Sequence, residues 1–198
     1  MYKLTRDFYT RDTITVAKEL LGKVLVHKTD EGVAKGIIVE TEGYLGERDA
    51  AAHSYKAKKD GRTNIQYNLG GFAYVYLIYG MYYCMNIVTE KEGVPEVVLL
   101  RALEPLENIS LMEKRRKTDK LKNLCSGPGK LCMAMAIDKT CYGEDLCGNK
   151  LYVEDAPPID ENKIIASKRI NIDYAKEAKD YLLRYTILNN QFVSVKPK

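Results

Sequence analysis

The sequence predicts an α+β fold, in which helices and strands are mixed around an antiparallel sheet. Strand-like and helical patterns are interspersed along the chain without the regular strand–helix–strand repeat of a parallel sheet. The chain has 198 residues, of which 45% are hydrophobic, so it is the size of one domain and can bury a substantial core. We therefore expect a single mixed domain over 1–198.

The first predicted elements are a helix and a hairpin. Asp12 is a suitable N-cap for a helix over 12–21, and Gly22 can end that helix in the left-handed conformation. Strands over 23–28 and 34–41 follow, joined by a compact Asp-Glu-Gly turn that favours an antiparallel hairpin. Residues 43–71 are polar and longer than a simple connection needs, so we expect this loop to be functional.

Residues 73–88, AYVYLIYGMYYCMNIV, hold five of the fifteen tyrosines and no charged residue. Their period-two alternation predicts a second hairpin that turns at Gly80, with Tyr79 at or near the tip. A hydroxyl-tipped ring at a turn is suited to wedging into stacked bases. A buried sheet whose tyrosines only pack together is an equally good explanation of this segment by itself.

The rest of the chain alternates between the two types of element. Residues 96–103, EVVLLRAL, predict a strand, and helices are expected over 107–116 and 129–137. In the final third we expect strands over 150–154, 163–172 and 185–195, with a short helix around 174–181.

Glu40 and Glu42 stand two residues apart at the end of a predicted strand, so both carboxylates should face one side. Paired carboxylates are typical of O-glycosidases, whereas an N-glycosidic bond to a cationic heterocycle can be hydrolysed with one base. Two solvated strand-end charges are the alternative. Arg101, inside an apolar strand, needs an acidic partner; Glu42 is a natural candidate, although a purely structural salt bridge would give the same sequence.

Two further patterns bear on ligands. Ser126–Lys130, SGPGK, precedes a helix and could bind phosphate, but it lacks Walker spacing and also suits a plain loop-to-helix junction. We expect no metal and no cofactor, because the chain has two histidines and no C-x-x-C. Cys125 and Cys132 have the gap that opens an iron–sulfur pattern in some repair enzymes, without the cysteines that should follow.

Composition sets the class of partner and compartment. The net charge of +4 permits nucleic-acid binding through a local patch without proving it. Five scattered cysteines suit a reducing compartment. No apolar stretch is long enough for a membrane span, and no signal peptide is recognisable. We therefore expect a cytoplasmic protein without membrane contact.

Four segments, VETEGYLGERDAAAHS, YVYLIYGMYYCMN, VLLRALEP and LCSGPGKLCMAMAI, resemble in this order the motifs of the alkyladenine (3-methyladenine, methylpurine) DNA glycosylase family. The resemblance covers almost the whole chain. It implies a curved, largely antiparallel sheet with flanking helices and a protruding β-hairpin. It also implies a monomeric, monofunctional base-excision-repair enzyme, nucleoid-associated when acting, that flips alkylated or deaminated purines out of double-stranded DNA and leaves an abasic site.

The resemblance assigns the catalytic and pocket roles to seven residues. Glu42 corresponds to the base that deprotonates water, while Arg101 and the carbonyl of Ile170 help to hold that water. Four residues correspond to the base pocket: Tyr44 on one face, His53 and Tyr76 on the other, and Asn86, which disfavours the amino group of guanine.

Five further residues correspond to DNA contacts in the family. Tyr79 matches the residue that fills the gap left by the flipped nucleotide, and Met81 and Tyr82 share its hairpin in the minor groove. Arg62 and Lys130 lie where the family contacts phosphates.

The last third departs from the family pattern. Asn171 replaces a glycine after Arg169 and Ile170, and Ala178 and Leu182 replace a tryptophan and a proline. Asparagine tolerates positive φ better than other non-glycine residues, so the backbone path can survive.

Two other functions compete with the glycosylase. A non-catalytic module that binds DNA lesions has no use for a desolvated carboxylate beside Arg101. An O-glycosidase using Glu40 and Glu42 lacks the tryptophan platforms of sugar sites, since the chain has no tryptophan. A lyase would need a lysine nucleophile, and no lysine matches a catalytic position of the family.

Overall fold

A curled antiparallel sheet runs through the computed structural model, which describes residues 2–197. Its strands are β1 (Val24–Thr29), β2 (Gly32–Tyr44), β3 (Ala73–Ile78), β4 (Tyr82–Val88), β5 (Val97–Glu107), β6 (Leu151–Glu154), β7 (Ile164–Ser167) and β8 (Arg184–Ile187). The main order is β3-β4-β5-β2-β1-β6, and β8 joins β2 and β7 outside this path. The predicted α+β class with a largely antiparallel sheet is confirmed.

Helices flank the sheet. They are α1 (Arg6–Tyr9), α2 (Thr13–Glu19), α3 (Ile109–Arg116), α4 (Leu121–Leu124) and α5 (Pro128–Met135). The predicted N-cap of α2 is confirmed, because Asp12 accepts a hydrogen bond of 2.9 Å from the Thr15 backbone amide. The chain leaves this helix through Gly22, whose φ is +84°. No helix within residues 2–197 has the length and apolar character needed to cross a bilayer.

The long strand β2 divides the sheet. One of its edges pairs with β5, while the other pairs first with β1 through Gly32–Ile37 and then with β8 through Glu40–Glu42. The β2–β5 register is irregular between Ile38 and Thr41, and such bulges bend a strand and increase its twist. The sheet therefore curls at the point where Glu40 and Glu42 lie.

The two faces of β2 have different surroundings. Ile38 belongs to the main core, which also contains Leu20 at the C-cap of α2 and Leu131 of α5. The Thr41 hydroxyl donates a hydrogen bond of 2.7 Å to the Ala17 carbonyl of α2, so this side chain points to the helix side. Side chains alternate along a strand, and the irregular register after Ile38 shifts that alternation, so Glu40 and Glu42 point to the face opposite Thr41.

Both predicted hairpins are confirmed, β1–β2 and β3–β4. The second one turns through Tyr79 and Gly80, which have φ values of +54° and +69°. Several predicted boundaries were wrong. β5 continues to Glu107, so the helix predicted over 107–116 begins only at Ile109.

The C-terminal third differs most from prediction. The strand predicted over 163–172 ends at Ser167, the one over 185–195 covers only Arg184–Ile187, and the helix around 174–181 is a 3₁₀ segment, Lys176–Asp180. The predicted strand could not have continued to 172, because Asn171 has a φ of +58°, outside the β region. The positive φ expected of Asn171 is confirmed. Ala178 lies buried and Leu182 exposed in this segment.

Candidate active site

Glu42 is a fully buried carboxylate at the end of β2. Its Oε1 accepts a hydrogen bond of 2.8 Å from the backbone amide of Ile170, and its Oε2 accepts one of 2.9 Å from the Tyr44 hydroxyl. The Nη1 of Arg101 lies 3.4 Å from Oε2. Burial raises the pKa of Glu42 above the ordinary glutamate value, although Arg101, the Ile170 amide and Tyr44 oppose this rise.

Glu40 is equally buried, so the alternative of two solvated charges is wrong. Its Oε1 accepts hydrogen bonds from Nε of Arg101 at 2.9 Å, Nε of Arg184 at 2.8 Å and Oγ of Ser194 at 2.8 Å. The Ser194 amide bonds its Oε2 at 2.6 Å. Glu40 therefore has a full set of partners.

Arg101 lies between these two carboxylates. The expectation that it needs an acidic partner is confirmed, but its shorter contact is with Glu40 rather than with the expected Glu42. A guanidinium in this position joins β5 to β2 and compensates two buried negative charges. Its side chain, which is 9% exposed, also lines the cleft described below.

An aromatic pocket lies next to the carboxylates on the same face of the sheet. It is lined by all four predicted pocket residues together with further neighbours: Tyr44, Ala51, Ala52, His53, Gln66, Tyr74, Tyr76, Asn86, Val97 and Tyr174. The rings of His53 and Tyr76 meet edge to face with centroids 4.7 Å apart. Asn86 is buried on β4, and its Nδ2 donates a hydrogen bond of 3.1 Å to the Tyr74 carbonyl.

His53 is neutral at physiological pH. Burial lowers its pKa to about 4, and the positive charge of Arg62 contributes in the same direction. Its Nδ1 lies 2.8 Å from the Tyr74 hydroxyl, which orients the ring. The pocket wall is consequently free of the positive charge that an imidazolium would bring.

A cleft of about 440 Å³ opens in front of this pocket, a size typical of ligand sites. Tyr44, Arg101 and Ile170, the three residues that contact Glu42, all line it. Arg62 and Tyr79 line its outer part. The cleft therefore connects the surface of the hairpin with the groups that surround the buried carboxylate.

The hairpin tip presents large side chains to solvent. Tyr79 is 75% exposed and Met81 68% exposed, whereas Tyr74 near the base of the hairpin is buried. Tyr82 lines the cleft, and Met81 faces a separate groove between the hairpin and α5. The hairpin thus combines packed and exposed tyrosines, so packing inside the sheet does not account for all of them.

The start of α5 lies beside the hairpin. An added Cβ on Gly129 would approach Tyr82 to 3.0 Å, so the two elements are in close contact. Pro128 and Gly129 line the cleft. Lys130 does not line it; this partly buried residue has its Nζ 3.5 Å from the Ser126 hydroxyl, at the side of the cleft.

Sequence reasoning missed several residues of the site. Two of them, Arg184 and Ser194, bind Glu40, and a third, Asp49, binds Arg169. Each of these residues lies far from its partner along the chain. Tyr174 lines both the pocket and the cleft. The only available signal was the position of Arg169 and Tyr174 beside Ile170.

A larger cavity of about 550 Å³ lies away from these residues, between α4, β8 and the C-terminal segment. Its lining has no carboxylate or histidine, so we place the candidate site in the cleft. Within residues 2–197, no group of three metal-binding side chains is close enough to hold an ion.

Comparison with known proteins identifies the family. Residues 7–191 match the family described as Methylpurine-DNA glycosylase. A protein of Clostridium novyi (strain NT) is 52% identical over 204 residues, covering 99% of this chain and 100% of its own. One from Desulfitobacterium hafniense (strain Y51) is 48% identical, with 99% and 100% covered. Both carry the name "Putative 3-methyladenine DNA glycosylase". The chain therefore belongs to the methylpurine-DNA glycosylase family.

Proposed function

We propose that this protein is a monofunctional DNA repair glycosylase that hydrolyses the N-glycosidic bond of damaged purines in double-stranded DNA. Its family and the names of its relatives support this class of reaction. One observation carries the proposal furthest. The buried carboxylate of Glu42 lies behind a cleft that joins an aromatic pocket to an exposed hairpin tip.

In this proposal the target nucleotide leaves the duplex before its base is released. Glu42 is fully buried and the pocket lies behind the cleft, so a base inside the stack could not reach them. In our proposal Tyr79 inserts into the vacated stack, since it is an exposed aromatic residue at the tip of a hairpin. Met81 and Tyr82, which follow the turn and lead into β4, accompany it into the minor groove.

Glu42 then activates water. The carboxylate accepts one proton from a water molecule held between Glu42, Arg101 and the Ile170 carbonyl. The water oxygen bonds to C1′ of the sugar, and the electron pair of the C–N bond leaves with the purine. Because burial raises the pKa of Glu42, its carboxylate is a stronger base than a solvated one. Its negative charge also stabilises the cationic sugar as the bond breaks.

The aromatic pocket selects the base. We infer that a flipped purine stacks between Tyr44 and the pair His53 and Tyr76, where electron-rich rings favour an alkylated, cationic base. A neutral His53 adds no repulsion to this cation. Asn86 lines the pocket and would disfavour the 2-amino group of unmodified, neutral guanine, whereas the positive charge of 7-methylguanine strengthens its stacking and offsets that cost. The proposed substrates are 3-methyladenine, 7-methylguanine and hypoxanthine.

Two cations would hold the flanking backbone. Arg62 lines the mouth of the cleft and can pair with a phosphate there. Lys130 lies in the first turn of α5, where helix amides add to its positive charge. We propose that the enzyme acts on its substrate as a monomer.

The test is release of free base from duplexes that each carry one defined lesion, by the parent protein and by Glu42→Gln. The parent should release damaged purines and leave abasic sites, whereas Glu42→Gln should bind the same duplexes without release. Lesion binding without release by the parent would instead identify a binding module. Cleavage of a simple O-glycoside, with intact DNA, would identify an O-glycosidase.

A further inference from the structure

A buried ion pair lies behind the wall of the proposed pocket. Asp49 and Arg169 have side chains that are 0% exposed, and two contacts join them, of 2.5 Å and 2.8 Å. Such a two-point contact between a guanidinium and a carboxylate fixes orientation as well as distance. Neither residue lines the pocket or the cleft, so the pair does not contact the base directly.

The remaining bonds of this pair reach three separate segments. Arg169 donates to the carbonyl of Gly43, at 2.9 Å, and to that of Ala178, at 3.2 Å. Asp49 accepts from the amides of Leu45 and Ala51, both at 3.0 Å. The end of β2, the loop that carries His53 and the loop that carries Ile170 therefore meet at one ion pair.

The pair is also in contact with two groups of the proposed chemistry. The guanidinium of Arg169 lies 4.6 Å from the centre of the Tyr44 ring. The next residue along the chain, Ile170, donates its amide to Glu42. Besides this pair, the two loops share a small apolar cluster of Ala51, Ile172, Ala175 and Ala178, separate from the main core, and a long hydrogen bond of 3.4 Å from the Tyr174 hydroxyl to the Ala51 carbonyl. Small side chains alone make few contacts, so they fix loop positions weakly.

We propose that Asp49 and Arg169 are positioning residues, which hold Tyr44 and the Ile170 amide in the geometry that base excision requires. This inference rests on the proposed function. Its physical basis is preorganisation, because a pocket wall and a carboxylate that are already in place need no rearrangement during reaction. Arg169 supplies donors in several directions, which a lysine at the same position could not reproduce.

Two conservative variants test the role, and both should fold. Asp49→Asn keeps the shape of the side chain and removes its charge, while Arg169→Lys keeps the charge and removes the fork. The matched control is Lys168→Gln, which breaks an exposed ion pair with Asp180 in the same loop. A second control, Leu25→Ala, destabilises the core through a buried β1 residue remote from the site.

The first readout is the single-turnover rate of base release against pH, at a temperature where every variant is folded. Asp49→Asn and Arg169→Lys should be slower by about 10²-fold, the cost of misplacing a group by about 1 Å. The acid limb of their profile should also move to higher pH, because losing the Ile170 amide disfavours the ionised form of Glu42. Both controls should keep the rate of the parent protein and the same midpoint of the acid limb.

The acid limb is interpretable because the groups around Glu42 are known. The charged and titratable side chains that face it are Glu40, Tyr44, Tyr76, Cys84, Arg101, Arg169 and Tyr174. Only Arg169 among them is altered in these variants.

The second readout is backbone amide exchange, which does not depend on activity. Segments 45–53 and 168–173 should exchange faster in Asp49→Asn and Arg169→Lys than in the parent and in Leu25→Ala. Unchanged exchange with parent-like rates and midpoint would overturn the inference. If the parent itself released no base, the proposed function would fail, and exchange would still decide whether the pair orders the loops.

Discussion

At the scale of single residues, Glu40 and Glu42 show how surroundings separate two identical side chains. Both are buried on one face of β2 and both contact Arg101. Glu40 is bonded to two arginines and to Ser194, so its charge is well compensated. Glu42 shares Arg101 with Glu40, and its other hydrogen-bond donors are neutral, namely the Ile170 amide and the Tyr44 hydroxyl. Of the two, Glu42 is the carboxylate whose charge is less compensated.

We expect Glu42→Gln to be at least as stable as the parent near neutral pH. Burial raises the pKa of Glu42, so the folded state holds this proton more tightly than the unfolded chain. The resulting stability is present below the unfolded value of about 4.3 and is lost as pH rises through the folded pKa. A glutamine avoids that loss. Thermal unfolding, followed from below the unfolded value of about 4.3 up to neutral pH, should show an advantage that disappears in acid; a constant deficit would contradict it.

Glu40→Gln should have the opposite effect. Removing one member of a buried ion network costs about 3–5 kcal/mol, because Arg101 and Arg184 lose their partner. Base release per folded molecule should stay within about tenfold of the parent, less than the 10²–10⁴ that a general base supplies. Denaturant unfolding and single-turnover rates measure the two effects. Loss of release equal to that of Glu42→Gln would show that both carboxylates act in catalysis.

A prediction about selectivity rests on Asn86, which lines the pocket beside Tyr76. Guanine differs from hypoxanthine by its 2-amino group, and a site excludes an extra group by leaving it neither space nor an acceptor. Asn86→Ser should therefore release guanine from a mismatch while release of hypoxanthine persists.

The measurement is the ratio of the two rates in otherwise identical duplexes. An unchanged ratio, with both rates lowered together, would mean that Asn86 only supports the backbone through its bond to the Tyr74 carbonyl.

At the scale of elements, the β3–β4 hairpin could be predicted because its signals are local. Alternation, a central glycine and the absence of charge all lie within 73–88. The end of β7 and the short β8 could not be predicted in this way. Arg184 and Ser194 depend on Glu40, which lies 144 and 154 residues away in sequence. Local patterns contain no information about such partners, so the C-terminal strands were predicted too long.

Removing the side chain at the hairpin tip should weaken base flipping. Tyr79→Ala leaves no side chain to fill the gap that the flipped nucleotide leaves in the base stack. Disrupting that stack costs roughly a few kcal/mol. Release from a well-paired duplex should fall clearly, and less so when the lesion is mismatched, because less pairing must then be broken. Tyr2→Ala is the control, since Tyr2 is also exposed but lies near β6 at the opposite edge of the sheet. Equal effects in both duplexes would exclude a role in flipping.

At the scale of the whole molecule, the site depends on contacts that no single element contains. β2 supplies Glu42, and the order β3-β4-β5-β2 places the hairpin at one side of it. The loop with His53 and the loop with Ile170 close the site from elsewhere in the chain. The resemblance to a family predicted the residues that we propose to contact substrate, whereas Asp49 and Arg169, 120 residues apart, had no local signal.

The charge of the whole protein also bears on DNA binding. A net charge of +4 is too small to drive strong nonspecific association, so affinity must depend on a few well-placed cations. Each phosphate contact releases counterions and contributes about 0.9 to the slope of log K against log salt concentration. This makes the number of contacts measurable.

Arg62→Gln and Lys130→Gln should each reduce the magnitude of that slope by about 0.9, and together by about twice as much. Binding is measured in a Glu42→Gln background, so that the lesion duplex stays intact during the titration. Lys28→Gln is the control, because Lys28 is an exposed cation on β1, on the other side of β2 from the hairpin. Adding Lys28→Gln should leave the slope of log K against log salt concentration equal to that of Glu42→Gln alone. A parent-like slope for Lys130→Gln alone would mean that this lysine, beside Ser126, supports the start of α5 and leaves Arg62 as the phosphate contact.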